Sequence, residues 1–594
     1  MCGILGSNFK SNYDFKKATQ IMQNRGPDNT SIQNIYNNYF GHTRLKIVDL
    51  SNKSNQPMVF DDILIVFNGE IYNYKELLKD ENLICTTTSD TEVILRLYIK
   101  YKEDLLKKID GAFSFCIYDI KNETHFIARD RYGKKPLYYY HKDGKFIFSS
   151  MITPIIKLIE YTPKLNKIAL SQYLQYFVPL APNTFYQNIN KLEASTYMIY
   201  KNNTLFTKKY YKIKINTSIK KKDIAVKNIE DILINSIDKR IHSDVKIGTL
   251  LSGGLDSSLI SSIYAKLSSK PIDTFSIGYE SHKKHCELKY SDLMAKDIKS
   301  NHTRIVLNKS DYLNSIDDVN NALEEPHGDP ASIPLYHLTK LINKANIKSV
   351  LSGEGADELF LGYDSYAKNL DFYNFKKTLD SNQINFLKHN ILSSLPSNTK
   401  ELDYFKRILN NTPIYSSFGK IFSQIEKEKL FKTTPLFIFE KEKANPIDWM
   451  SYIDTKIWLG EVLLSKVDKI SMSNSIEVRN PFLDTNMVNL AFSIESKLKL
   501  GDTNKYLLKE IAKKYLPKEI IYRKKKGFNS PYNEWIIEEY KDNILETIQK
   551  ANKFHNLFKE DYLKEIYHQA KNNKKKQHLY TLWTFSKWYL KVYT

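Results

Sequence analysis

Thr249-Leu250-Leu251-Ser252-Gly253-Gly254-Leu255-Asp256-Ser257-Ser258 decides the architecture of the second half of the chain. An apolar strand ends at Leu251, and two glycines, lacking Cβ, let the backbone turn tightly. Ser257-Ser258 then open a helix whose apolar face is Leu259, Ile260, Ile263, Tyr264 and Leu267. A helix N-terminus behind glycines presents free N–H groups to an anion, and the serine hydroxyls add donors. No Gly-Lys-[Ser/Thr] follows, so this is not a Walker loop. A bland Gly-Gly strand-to-helix turn has the same outline, and the neighbouring segments decide between the two.

Downstream, strands alternate with helices: 246–251, a helix from Ser258, then 274–277, another helix, and 348–351. That alternation predicts a parallel sheet with helices on both faces. The strand 348–351 runs into Ser352-Gly353-Glu354-Gly355-Ala356-Asp357-Glu358-Leu359-Phe360. Acids at the carboxyl end of a parallel strand point into the ligand crevice, where Asp256 and Asp357 together can hold a Mg²⁺ ion. The alternative for Glu354 and Asp357 is a solvated loop. His282-x-x-His285-Cys286 lacks a second ligand cluster and reads as a polar loop after a strand.

Upstream, residues 1 to about 200 read as short strands with few helices. Ile63-Leu64-Ile65-Val66-Phe67, Phe113-Ser114-Phe115-Cys116-Ile117-Tyr118, Phe126-Ile127-Ala128 and Lys145-Phe146-Ile147-Phe148 are apolar runs of strand length. Ser89-x-x-Glu92 is a capping box that starts a helix carrying Val93, Ile94, Leu97 and Tyr98. The polar tract 201–222 reads as the boundary, a packed connection by its Tyr and Ile content, between domains at 1–205 and 215–594. The segments 370–450 and 535–594 read as helical.

A chain of 594 residues exceeds one core, since single cores stop growing near ~250–300 residues. Its apolar content of 42% suffices for a core in each half, which excludes disorder as the main state. No stretch reaches the ~18 apolar residues of a membrane helix, and the start lacks a signal-peptide pattern, so the expected location is the cytoplasm. Four cysteines without CxxC spacing fit a reducing compartment, and Cys85 and Cys116 read as core. The charge of +21 comes from lysines spread over every segment, which argues against a nucleic-acid stripe. Oligomeric state stays open, a homodimer included.

Cys2 is small enough to permit removal of Met1, which leaves a thiol beside its own α-amine. An amine of pKa ~7.7–8.0 can take the proton from a thiol of ~8.5, so nucleophile and base share one residue. Asn68-Gly69 ends a strand and offers an amide and an approachable backbone N–H, the donors an oxyanion needs. The same dipeptide is also the commonest hairpin turn. Arg44 can bind a carboxylate bidentately or form an ion pair. Asp90 suits an α-amine or a helix dipole. His42 reads as a structural residue.

Met1-Cys2-Gly3-Ile4-Leu5-Gly6, Arg25-Gly26-Pro27-Asp28, Gly41-His42-Thr43-Arg44-Leu45, Asn68-Gly69-Glu70-Ile71-Tyr72-Asn73 and Ser89-Asp90-x-Glu92 together resemble the glutaminase half of class II glutamine amidotransferases. The resemblance implies the N-terminal-nucleophile αββα sandwich, with Asn68 and Gly69 holding the oxyanion and Arg44, Asn68, Glu70 and Asp90 gripping glutamine. SGGLDSS resembles the pyrophosphate loop of ATP pyrophosphatases. With Glu325-Pro326, SGEGADE, Ser465-Lys466-Val467-Asp468-Lys469, Glu477-Val478-Arg479-Asn480-Pro481-Phe482-Leu483-Asp484 and Lys505, residues from about 225 to 535 resemble the synthetase domain of glutamine-hydrolysing asparagine synthetases.

This second resemblance implies a Rossmann-like ATP-pyrophosphatase domain with helical C-terminal additions, and aspartate, glutamine, ATP and Mg²⁺ as substrates and cofactor. It implies an ATP site of Leu251, Ser252, Gly253, Gly254, Asp256, Ser257, Ser258, Ile277, Ser352, Gly353 and Lys505, with Glu354 as general base and Asp256 and Asp357 on the metal. It also implies a tunnel between the sites. Pro330 stands where shorter members carry Arg before Ala331-Ser332. That departure leaves two acceptors, aspartate first and a carboxylate on a cell-wall or surface-polysaccharide precursor second.

Overall fold

In the computed structural model the described residues are 2–282, 284–390, 400–437, 440–442, 444–528 and 530–594. The first half holds two six-stranded antiparallel sheets. One runs in the order Ile189–Lys191, Tyr138–Lys142, Lys145–Ser149, Cys2–Ser7, Asn38–Arg44, Asn29–Ile35. The other runs Thr204–Lys209, Thr196–Lys201, Thr124–Arg129, Gly111–Asp119, Ile63–Ile71, Met58–Phe60.

Side-chain alternation explains the continuous apolar runs. Leu64 and Val66 enter the layer between the sheets with Ile4, Phe40, Cys116 and Ile127. Ile65 and Phe67 face outward onto Val93, Ile94 and Leu97 of the helix Asp90–Tyr101. On the far side, Leu5 and Ile147 pack with Ala18 and Ile155 from the helices Phe15–Gln20 and Ile152–Ile159. The order helix, sheet, sheet, helix is the expected sandwich.

The second half is built on a five-stranded parallel sheet, in the order Asn301–Leu307, Asp273–Tyr279, Ile247–Leu250, Ser349–Leu351, Glu477–Arg479. The helices Lys222–Ile241 and Leu255–Leu267 bury Ile229, Leu233, Leu259 and Ile263 on one face against Ile247 and Leu351. Ser332–Lys344 and Leu464–Ser473 bury Leu338, Ile342 and Ile470 on the other against Phe275 and Val350. Chain order reverses between Ile247–Leu250 and Ser349–Leu351. Open α/β sheets bind ligands at such a switch point, beyond the carboxyl ends of the strands.

Four local readings are corrected. The helix after the glycines begins at Leu255, with Gly254 as N-cap, because the backbone turns helical immediately beyond the second glycine. At Ser89 only half of the capping box forms. Ser89 Oγ accepts the Glu92 N–H, while the Glu92 carboxylate turns to the Thr86 and Thr87 N–H groups and Arg96. Cys116 is buried, whereas Cys85, ahead of that helix, is only half-buried and packs against the edge of the core shared by the helix and the second sheet. Within 201–222, residues Thr204–Lys209 are the outer strand of the second sheet, and the remainder is tied down by Ile219 N–H to Ser493 O at 2.9 Å.

Helices Ser365–Thr378, Ser381–Asn390, Lys400–Leu409, Gln424–Leu430 and Pro446–Asp454 occupy most of 370–450. Within that reading, 391–399, 438–439 and 443 lie outside the described residues. The last helix, Lys576–Tyr593, packs Phe585 and Trp588 on Phe185 of the first half. Among the described residues no helix is long and apolar enough to cross a membrane.

Candidate active sites

Cys2 opens the central strand of the first sheet, buried and paired in register with Arg44; Met1 lies outside the described residues. Its N–H donates to Asn68 Oδ1 at 3.1 Å, so the face-to-face stacking of the two sheets brings nucleophile and amide together. Gly69 has φ 153°, and a Cβ there would run into the Ala112 carbonyl. Only glycine fits that approach. His42 Nε2–H donates to the Phe67 carbonyl at 3.1 Å, and burial pulls its pKa down to about 3. It is a neutral structural group.

Arg44 holds the loop that follows it: its terminal nitrogens donate to Ser51 O and Asn55 Oδ1 at 2.8 Å and to the Val48 and Asp49 carbonyls. Asp90, first in its helix, accepts the Ile71 N–H at 2.9 Å, and burial raises its pKa to about 7. Burial also pushes the Glu70 carboxyl up, against the pull of Arg479, whose Nη2 lies 2.5 Å away.

The sequence reading left Arg25 without a role. Its Nε donates to Cys2 O at 3.1 Å and its Nη2 pairs with Asp468 of the second half at 2.8 Å.

At the switch point the glycine-serine loop is closed by Ser252 and Ser257, their hydroxyls 2.9 Å apart. Gly253 has φ 69°, and a Cβ would lie 2.5 Å from Tyr290. Leu251 N–H bonds Phe275 O, and Ser276 donates to Leu251 O, which holds the loop against the strand that carries Ile277. Ser258 is buried in the first turn of the helix, and its hydroxyl has no hydrogen-bond partner among the described residues. Gly353 sits against Asp256 and Ser257, bringing the two loops into contact.

Lys505 joins the loops. Its Nζ lies 2.5 Å from Asp256 and 2.6 Å from Asp357. Burial raises the Asp256 carboxyl, with Lys505 opposing. For Asp357 burial also raises, but Lys505 and Lys525 together outweigh it and the carboxyl is held low. Burial and the charge of Asp357 push Glu358 up to about 8. Glu354 Oε2 accepts from Ser352 Oγ and, at 3.0 Å, from Asn480 Nδ2.

Two basic residues here were missed from sequence. Lys525 pairs with Asp357, and Arg523 donates to Gly253 O at 2.7 Å and pairs with Glu287. Both belong to Arg523-Lys524-Lys525-Lys526, a run that a lysine-rich composition hides.

The fold and the two clusters define a glutamine-type N-terminal-nucleophile amidotransferase joined to a parallel-sheet domain with an anion loop. A family model described as "Glutamine amidotransferase domain" matches residues 1–211, and one described as "Asparagine synthase" matches residues 228–590. The chain is 33% identical to "Asparagine synthetase [glutamine-hydrolyzing] 1" of Bacillus subtilis over 90% of this chain and 87% of that protein. It is 27% identical to "Asparagine synthetase [glutamine-hydrolyzing] 3" of the same organism, over 92% of each. Against "Asparagine synthetase [glutamine-hydrolyzing] 1" of Arabidopsis thaliana identity is 26%, over 92% of this chain and 81% of that one. The chain belongs to the asparagine synthetase family, enzymes of glutamine-dependent amidation.

Proposed function

We propose that the protein makes asparagine from aspartate, glutamine and ATP, with residues 1–205 supplying ammonia and 215–594 activating the acceptor. In the first half, Cys2 Sγ attacks the glutamine side-chain carbonyl and passes its proton to the α-amine freed by loss of Met1. Asn68 and the Gly69 N–H hold the oxyanion, ammonia leaves, and water hydrolyses the thioester to glutamate. Asp90 receives the α-ammonium and Arg44 shapes the pocket floor. Glu70 closes the pocket from the side of Arg479.

In the second half, the aspartate carboxylate displaces pyrophosphate from the α-phosphate, which turns a poor electrophile into an acyl adenylate. Ammonia then attacks, Glu354 takes a proton, and AMP leaves. The glycine-serine loop binds phosphate with its N–H groups, and Lys505 balances phosphate charge. Asp256 and Asp357 fit Mg²⁺: they converge on one point, and Asp256 Oδ1 is buried with no hydrogen-bond partner among the described residues. An ion held by these two carboxylates would neutralise charge on the leaving pyrophosphate.

The convergence of Asp256, Asp357 and Lys505 at the switch point carries this reading. Its test is product analysis by mass spectrometry with aspartate, Mg-ATP and either glutamine or ammonium. Asparagine, AMP and pyrophosphate are expected in equal amounts. Cys2→Ala should abolish synthesis from glutamine and leave synthesis from ammonium; ADP in place of AMP, or no asparagine, refutes the scheme.

A further inference from the structure

The strand Glu477–Arg479 stands between the two clusters and touches both. Arg479 is fully buried. Its guanidinium reaches Glu70 at 2.5 Å and Glu477 at 2.7 Å, and also donates to the Arg240 carbonyl at 2.5 Å. Its own carbonyl accepts the Ser352 N–H at 2.9 Å, and the next side chain, Asn480, donates to Glu354. Glu70 adjoins the Asn68-Gly69 pair; Ser352 and Glu354 lie in the nucleotide crevice. One residue therefore sets a glutaminase side chain with its guanidinium and the base-bearing loop with its main chain.

We propose that Arg479 is the positioning residue that couples the two reactions, holding Glu70 and Glu354 in register across the domain junction. The inference rests on the proposed chemistry of the two sites. A planar fork matches this role, because two carboxylates and a carbonyl approach from different directions. A lysine keeps the charge but has no fixed fork. A perturbation at either end should then be felt at the other.

The test uses the full-length enzyme and two variants, Arg479→Lys and Glu70→Ala, assayed with glutamine and separately with ammonium. Glutamate formed per asparagine should rise roughly threefold or more in Arg479→Lys. Glu70→Ala should slow synthesis from ammonium, although ammonium bypasses the glutamine site. Wild-type stoichiometry in Arg479→Lys, or an equal fall of both its activities, overturns the proposal by reducing Arg479 to a structural residue. Unchanged ammonium-driven synthesis in Glu70→Ala overturns it independently, and decides alone if Arg479→Lys does not fold. Failure of the underlying reading shows differently: the wild type itself releases no AMP with aspartate and ammonium.

Discussion

Asp90 carries a charge in a place that resists it. Its carboxylate accepts the backbone N–H groups of Ile71 and Thr91, yet burial lifts its pKa to about 7. Only the ionised form accepts an α-ammonium, so the Michaelis constant for glutamine should fall as pH rises from 6 to 8. The slope should approach about tenfold per unit below about pH 7 and flatten above it. Glutaminase kinetics at fixed ionic strength measure this, and Asp90→Asn should raise the constant and remove the slope. A flat profile in the wild type excludes Asp90 from binding the amine. The linked effect on stability has the opposite sense. A carboxyl whose folded pKa is raised favours the folded state at acid pH, and that contribution is lost as pH climbs from about 4 toward 7.

At the scale of elements, the glycine-serine turn makes the sharpest demand on backbone. Gly253 sits at φ 69°, where an L-residue pays about 1–2 kcal/mol in local strain, and any Cβ would also press on Tyr290. Gly253→Ala should therefore slow synthesis from both nitrogen sources by at least about tenfold, since 1.4 kcal/mol is a factor of ten, while glutaminase activity survives. Comparable loss of glutaminase would show that the loop supports the whole fold rather than the nucleotide crevice. This turn, the strands and the helix after Ser89 were legible because each is written in local pattern. Apolar runs buried on both faces, a cap and a glycine pair are properties of neighbouring residues. Glu92 escaped that logic because Arg96 and the Thr86-Thr87 backbone compete for its carboxylate. Lys525 and Arg523 escaped it because their partners, Asp357 and Gly253, are more than 150 residues away in sequence.

Across the whole molecule, the least legible feature is the junction between the halves. Arg25 and Asp468 each stand in a recognisable short motif, yet nothing local indicates that they meet at 2.8 Å. The same holds for Glu70 with Arg479, Asp28 with Lys348, and Asp49 N–H with Asp244. Arg25 and Asp468 are both almost fully buried, with Lys135 Nζ 3.6 Å from the same carboxylate, and removing that carboxylate should cost about 3–5 kcal/mol because buried positive charge is left uncompensated. Since Arg25 also holds the Cys2 carbonyl, that cost falls on the nucleophile strand and on the helix Leu464–Ser473 together. With Phe185 packed on the terminal helix as a further tie, the two halves should unfold as one unit. Scanning calorimetry of the wild type is expected to show a single transition, and Asp468→Asn should move that transition down by several degrees without splitting it. Two resolved transitions in the wild type, or an unshifted one in Asp468→Asn, would mean that the buried pair does not bind the halves into one cooperative structure.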